Sequence, residues 1–188
     1  MINVSAQKSI LSEKLDKSEV SLMILSNETV AEAAAKLLQE QEQRDSYTVY
    51  VTMSRPHSRV SNELEEKGID TDKIFYIDGA SNLGGSSAKK SENVIYLKPQ
   101  QLTQISIAIS NAVEAIEDDE SLLVFDAIST LKIYNEKQQI SKFAHSLMSQ
   151  LGKWEILSVV MTVTEETDDE LKSQLKQFSD SIVRPEEY

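Results

Sequence analysis

Five apolar runs with little polar interruption constrain this chain more than any other feature: VSLMILS (20–26), YTVYVTM (47–53), KIFYID (73–78), LLVFD (122–126) and EILSVVMTV (155–163). A strand with one face in water alternates apolar and polar residues, whereas a strand covered on both faces reads as a continuous apolar run. Helical spacing fills the gaps between the runs. Val30, Ala33, Ala34, Leu37 and Leu38 share one face of 28–43. PHSRVSNELEEKG opens on Pro56 and stops at Gly68, the expected asymmetry of helix ends. Helices are also predicted over 102–116, 136–151 and 168–178, with a short amphipathic one over 5–17 (Ile10, Leu11, Leu15). NVIYL (93–97) reads as a short extended piece and SIVR (181–184) as a closing strand. Strands alternating with helices predict an α/β fold: three layers, α/β/α, around a mostly parallel sheet. Residues 1–188 read as a single domain without repeat, linker or low-complexity tract. One stretch breaks the rhythm. GASNLGGSSAKKSEN (79–93) holds three of the five glycines and only Leu83 as a large apolar residue, so it is expected to be a surface loop insertion.

The corner after the first run carries the most chemical information. A loop that cradles phosphate needs glycines, so that backbone N–H groups converge on the anion, and a lysine to reach the outer phosphates. Here the corner reads Ser26-Asn27-Glu28-Thr29, with no glycine, no lysine and one carboxylate. Lys36 follows Thr29 by about two helical turns, roughly 10 Å by helical rise, and is expected to point away. Glu28 at the positive end of the following helix satisfies the dipole itself and repels phosphate.

Charge narrows the partners. The net charge of −12 opposes general nucleic-acid binding, which needs clustered Lys and Arg, and opposes docking on anionic lipid. The chain has no cysteine, which excludes disulfides, zinc–thiolate sites and thiol catalysis. MINVSAQKSILSEKL has no apolar core of signal-peptide length, and no run reaches the ~18 apolar residues of a membrane span. The expected location is the cytoplasm.

The order and spacing of YTVYVTMSRPHSRVSNELEEKGID, KIFYIDGAS, ENVIYLKPQQLTQISIAIS, SLLVFDAISTLKIYNEKQQISKFAH and TEETDDELKSQLKQFSDSIV resemble the RecA/KaiC branch of P-loop ATPases. The likeness extends to small archaeal KaiC-like proteins of unknown function, from about residue 18 to 184. The resemblance implies a RecA-like sheet and places the family's Walker B acid, which holds the Mg²⁺ water shell in active members, on Asp126. It places the phosphate loop on Ser26 to about Thr29, which does not match the Walker A pattern. Thr29 stands where a Mg²⁺-binding hydroxyl could, but no lysine precedes it. The acids that polarise the attacking water in KaiC-type enzymes follow the second strand, where this chain has Ser54 and Arg55.

Several residues carry two readings. Asp126 either holds Mg²⁺ or caps the turn leading to Ser129 and Thr130. Asp78 also ends a strand, but a receiver-type phosphoacceptor would need an acid pair and a late lysine that are missing. Gly84–Lys90 is either a solvated loop or a displaced anion contact through Lys89 and Lys90. His57 and His145 lack a recognisable Ser/Asp or metal-ligand constellation in sequence and read as structural. Trp154 is expected to begin a strand as a packing anchor. Glu165–Glu170 either binds a divalent ion or forms a loop with Thr167 as N-cap and Glu170 completing a capping box.

The expectation is therefore a non-catalytic RecA/KaiC-like domain acting as a regulatory or protein-interaction module, with no catalytic residue, resident metal or cofactor. A protein partner or self-association follows by analogy with RecA-type domains. The alternative is a nucleotide or small-ligand sensor using a vestigial cleft of Ser26, Asn27, Glu28, Thr29, Asp126 and Ser129, where open α/β sheets hold ligands.

Overall fold

The computed structural model describes residues 19–81, 92–116 and 120–183. The proposed helix over 5–17, most of the loop 79–93 and both Lys89 and Lys90 lie outside the described residues. The strands are β1 (Val20–Leu25), β2 (Thr48–Thr52), β3 (Ile74–Asp78), β4 (Val94–Tyr96), β5 (Leu122–Asp126), β6 (Leu157–Val163) and β7 (Ser181–Val183). They form one seven-stranded sheet in the order β4-β3-β2-β5-β6-β1-β7. Every pairing is parallel. The helices are α1 (Val30–Gln43), α2 (His57–Glu66), α3 (Leu102–Ala115), α4 (Lys137–Leu151) and α5 (Asp169–Phe178).

Strand alternation sorts the core into two layers. Leu123 and Phe125 of β5 face α3, α4 and α5, where Ile105, Ile109, Phe143, Leu147 and Leu175 pack. Leu122 and Val124 face α1 and α2, where Ala34, Leu37, Leu38, Val60 and Leu64 pack. Both faces being covered explains why the runs do not alternate. α2 ends as its sequence predicts: Gly68 takes a φ of 77°, and the Ile69 N–H returns to the Leu64 carbonyl at 3.0 Å. Asp45 takes a φ of 58° after α1, one of the few side chains that tolerates it.

NVIYL, expected as a short extended piece, is the edge strand β4, paired to β3. Two local expectations are corrected. Trp154 lies in the turn before β6, which begins at Leu157, although it does pack against the core. Thr167 does not cap the last helix. Its hydroxyl donates to the Val163 carbonyl at 2.6 Å, and Asp168 takes the cap instead, accepting from the Leu171 N–H at 2.9 Å. No described helix is long and apolar enough to cross a membrane.

Leu147 is fully buried on α4 in the larger of these layers. Leu147→Ala should therefore cost about 2–5 kcal/mol through lost burial and a residual cavity, read as a lower denaturation midpoint with an unchanged slope.

Candidate functional site

The parallel register brings chemistry-bearing residues to the carboxyl ends of adjacent strands. Thr52 at the end of β2 pairs with Asp78 of β3 on one side and Asp126 of β5 on the other. Both acids share strand parity with the residues that face α1 and α2. β6 stands between β5 and β1, so the Ser26–Thr29 corner and Asp126 are about two strand spacings apart, roughly 10 Å.

The corner after β1 is closed on itself. The Ser26 carbonyl accepts from the Thr29 and Val30 N–H groups, each at 3.1 Å. The Thr29 hydroxyl accepts from the Ser26 N–H at 3.1 Å. The Asn27 N–H, which faces outward, donates to the Glu165 carboxylate at 3.3 Å. Glu28 is exposed beside it. The Thr29 and Val30 amides thus already share an acceptor, and the Asn27 amide bonds an anion supplied by the loop after β6.

Asp126 is 1% exposed. Its Oδ2 accepts from the Tyr50 hydroxyl at 2.6 Å and from Arg55 Nη2 at 3.1 Å. Its Oδ1 is buried without a hydrogen-bond partner. The capping role considered for Asp126 is therefore corrected: the carboxylate turns to β2 and the residue that follows it, not to Ser129. Arg55 also donates through Nη1 to Glu63 of α2 at 2.6 Å. Burial works against the guanidinium's charge, but Tyr50, Asp126 and Glu63 around it hold its pKa above the ordinary value. Burial, and then the Asp126 charge, push the Tyr50 phenol well above its usual range, so it remains a proton donor.

Ser129 and Thr130 answer to Glu166 rather than to Asp126. Their hydroxyls donate to Glu166 Oε2 at 3.1 and 3.4 Å, while Ser129 Oγ accepts from the Val163 N–H at 3.2 Å. Lys132 Nζ reaches the Glu166 carbonyl at 2.7 Å. The two glutamates after β6 therefore link the ends of β1 and β5. Of the residues expected to line one cleft, Ser26 and Thr29 bond each other, Asn27 meets Glu165, Ser129 meets Glu166, and Asp126 belongs to a separate cluster.

A second cluster was hidden in the sequence. Asp78 is fully buried, and its Oδ2 accepts from the His57 N–H at 2.8 Å and from the Ser81 hydroxyl at 2.6 Å. The His57 ring Nδ1 lies 3.0 Å from the same oxygen, and the Tyr96 hydroxyl lies 3.4 Å from that ring nitrogen. Oδ1 accepts from the Ala80 and Ser81 N–H groups at 2.8 and 2.9 Å. His57 thus does have an Asp constellation, contrary to the sequence reading. The signal was the equal length of β2 and β3, which sets the residues after Thr52 against Asp78. Burial alone would raise the Asp78 pKa, but the donors from His57 and Ser81 outweigh it and hold it below the usual carboxylate range. His145 is exposed and packs at a tilt against Phe178, with ring centroids 4.7 Å apart.

Between α1 and α2 a cavity of about 440 Å³ opens over Tyr50 and Arg55, floored by Ala31, Ala34 and Ala35 and rimmed by Glu28 and Glu63. Among the described residues, no group of three or more His, Cys, Asp or Glu side chains is arranged to hold a metal ion.

With this geometry in hand, comparison with known proteins is informative. Residues 24–185 match DUF7504, a family of unknown function. The chain belongs to this family. The fold is shared with a KaiC-like protein, PH0186, from the hyperthermophilic archaeon Pyrococcus horikoshii OT3, at a TM-score of 0.66 and 15% identity over 89% of this chain and 71% of that one. It is also shared with the uncharacterised protein PH0321 of Pyrococcus horikoshii, solved in complex with an unknown peptide, at a TM-score of 0.71 and 11% identity over 93% and 81% of the two chains. A third protein of that organism, PH0250, aligns at a TM-score of 0.63 and 11% identity over 90% and 82%. Comparison with curated proteins gives no match. These likenesses establish a KaiC-like, three-layer α/β/α fold.

Two outcomes follow from the clusters. Arg55→Ala should destabilise the fold by about 3–5 kcal/mol in chemical denaturation, because it strips the counter-ion from a buried carboxylate. Asp78, with its depressed pKa, contributes stability that is complete above the ordinary carboxylate value and lost as pH falls through the folded value. Asp78→Asn should therefore lower the neutral-pH midpoint while flattening its fall as the pH drops below the ordinary carboxylate range.

Proposed function

We propose that this chain is a non-catalytic KaiC-like domain that works by binding other proteins rather than by turning over nucleotide. One observation carries the reading: the position that would organise Mg²⁺, Asp126, is held by the chain's own cation, Arg55. A carboxylate oxygen already accepting from a guanidinium and a phenol is a poor partner for a metal's water shell. The residues present therefore do not fit a Mg²⁺–triphosphate, and no catalytic step is assigned.

Two further features support it. The corner Ser26–Thr29 has neither glycine nor lysine, and its amides bond Ser26 and Glu165. The residues after β2, Ser54 and Arg55, provide no base for water. Phosphoryl transfer is almost wholly positioning and charge stabilisation, and losing one preorganised donor typically costs ~3–4 kcal/mol of barrier. Here the amide nest, the cation and the base are missing together. A protein partner is the natural alternative role, and the peptide complex of PH0321 sets a precedent for the fold. The net charge of −12 disfavours nucleic acid and anionic lipid, and the reading places the protein in the cytoplasm without a cofactor.

A second reading rests on the 440 Å³ cavity between α1 and α2, large enough for a small ligand near the residues Glu28 and Arg55. A thermal-shift screen separates the two, since a ligand at ~100 times its Kd adds ~2.7 kcal/mol.

Calorimetric titration with Mg-ATP should give no binding heat, and phosphate release should match a buffer blank. Micromolar binding accompanied by turnover would refute the proposal. Arg55→Ala, which uncovers Asp126, should leave both results unchanged, because the Ser26–Thr29 corner still lacks glycine and lysine.

A further inference from the structure

Acids outnumber bases in the lining of the cavity between α1 and α2: Glu28, Glu32, Glu63 and Glu66 against Arg55 and Lys67. Their pairing is uneven. Glu63 takes Arg55 Nη1 at 2.6 Å and Arg59 Nε at 3.0 Å. Among the described residues, the side chains of Glu28, Glu32 and Glu66 make no ion pair or hydrogen bond. Glu28 and Glu32 stand at the opening of α1, where the helix dipole favours acids. Glu66 has no such reason. It is the last residue of α2, at the negative end of the dipole, with no basic residue in that turn and only Lys67 after it. The imbalance continues under the floor. Arg55 serves two carboxylates, Asp126 and Glu63. Asp126 is 1% exposed, has the strand parity that faces α1 and α2, and keeps Oδ1 without a donor. Arg55 Nε is also buried without a partner, but the charge of that guanidinium is already met by two acids.

We infer that this cavity binds a small aliphatic di- or polyamine. The inference rests on the small-ligand reading of the same cavity and names the ligand class. Unpaired acids stand on both walls, Glu28 and Glu32 beside α1 and Glu66 on α2, so the complementary ligand carries more than one cationic end. Between them the walls are apolar, with Ala31, Ala34 and Ala35 on one side and Val60 and Leu64 on the other. Methylene stems with charged tips match that alternation, as lysine side chains match apolar surface beside water. A bare metal ion does not match it, since no group of three or more potential ligands is arranged for one among the described residues. An anion would meet the lining acids and an arginine already engaged. At about 440 Å³ the cavity falls within the size range of small-molecule sites.

Calorimetric titration of the full chain with spermidine at about 0.15 M salt, where attraction between distant exposed charges is screened, should show one site with a Kd below about 1 mM. Pentylamine, with a single ammonium, should bind about 10-fold more weakly or less, having lost one charge-assisted contact. Glu32→Gln combined with Glu66→Gln alters two exposed side chains and should raise the spermidine Kd about 10-fold or more. Glu114→Gln combined with Glu155→Gln removes the same charge away from the cavity and should leave the Kd within about twofold. Ala31→Leu, which fills the cavity from a half-buried position, should abolish binding. Equal weakening by the two glutamine pairs would mean diffuse attraction to an acidic body and overturns the inference, as does binding that Ala31→Leu leaves intact. Tetralysine binding where spermidine does not would assign the cavity to lysine side chains of a protein and overturns it too. Glutarate and pentanediol separate the ligand class from the cavity reading. A thermal shift with either that Ala31→Leu removes, without one from spermidine, overturns the amine and keeps the cavity as a ligand site; no response to any of the probes overturns both.

Discussion

The buried ion pair between Arg55 and Asp126 governs how the carboxyl end of this sheet is built. A carboxylate at 1% exposure cannot stay charged without a compensating partner, and a guanidinium supplies charge and directed donors together. Arg55 meets Asp126 at 3.1 Å and Glu63 at 2.6 Å, so it ties β5 to the helix that follows β2. Tyr50, from within β2, gives Asp126 its second donor. Such an arrangement is weak evidence of extra stability, because desolvating the charges offsets most of their attraction.

The loop after β6 completes the closure by the same logic. Helix α1 presents N–H groups and a positive dipole end, which would attract an anion. The Ser26 carbonyl takes the Thr29 and Val30 N–H groups, and Glu165 takes that of Asn27 just before them. Glu166 then gathers the hydroxyls of Ser129 and Thr130, and Lys132 returns a charge to the Glu166 backbone. Each end of the crevice is thus neutralised by side chains of opposite character supplied by this chain. A triphosphate would have to displace several charge-assisted contacts at once, each stronger than a neutral hydrogen bond.

Sequence resolved the layers because burial on both faces leaves an unmistakable run, and LLVFD (122–126) coincides with β5 to the residue. At the corner after β1, the absence of glycine and lysine is visible in one dimension. It missed what long-range contacts decide. Asn27 and Glu165 are 138 positions apart, and Arg55 and Asp126 are 71 apart. Arg55 read only as a missing acid; that it fills the space as a counter-ion depends on strand order. Thr167 and Asp168 are both good caps by propensity, and the choice fell to a competing acceptor, the Val163 carbonyl, which captured the threonine. His57 and Asp78 come together only because β2 and β3 pair in register.

Charge is unevenly distributed over the two helix layers. The cavity between α1 and α2 is lined by Glu28, Glu32, Glu63 and Glu66 against Arg55 and Lys67. In the opposite layer, α3 carries no charged residue before Glu114, whereas α5 of that same layer opens on Asp169 and Glu170. The summed field of nearby carboxylates lowers the local concentration of anions. On electrostatic grounds the crevice beside Arg55 therefore suits neutral or cationic groups better than phosphates, in a fold class whose strand ends ordinarily hold ligands.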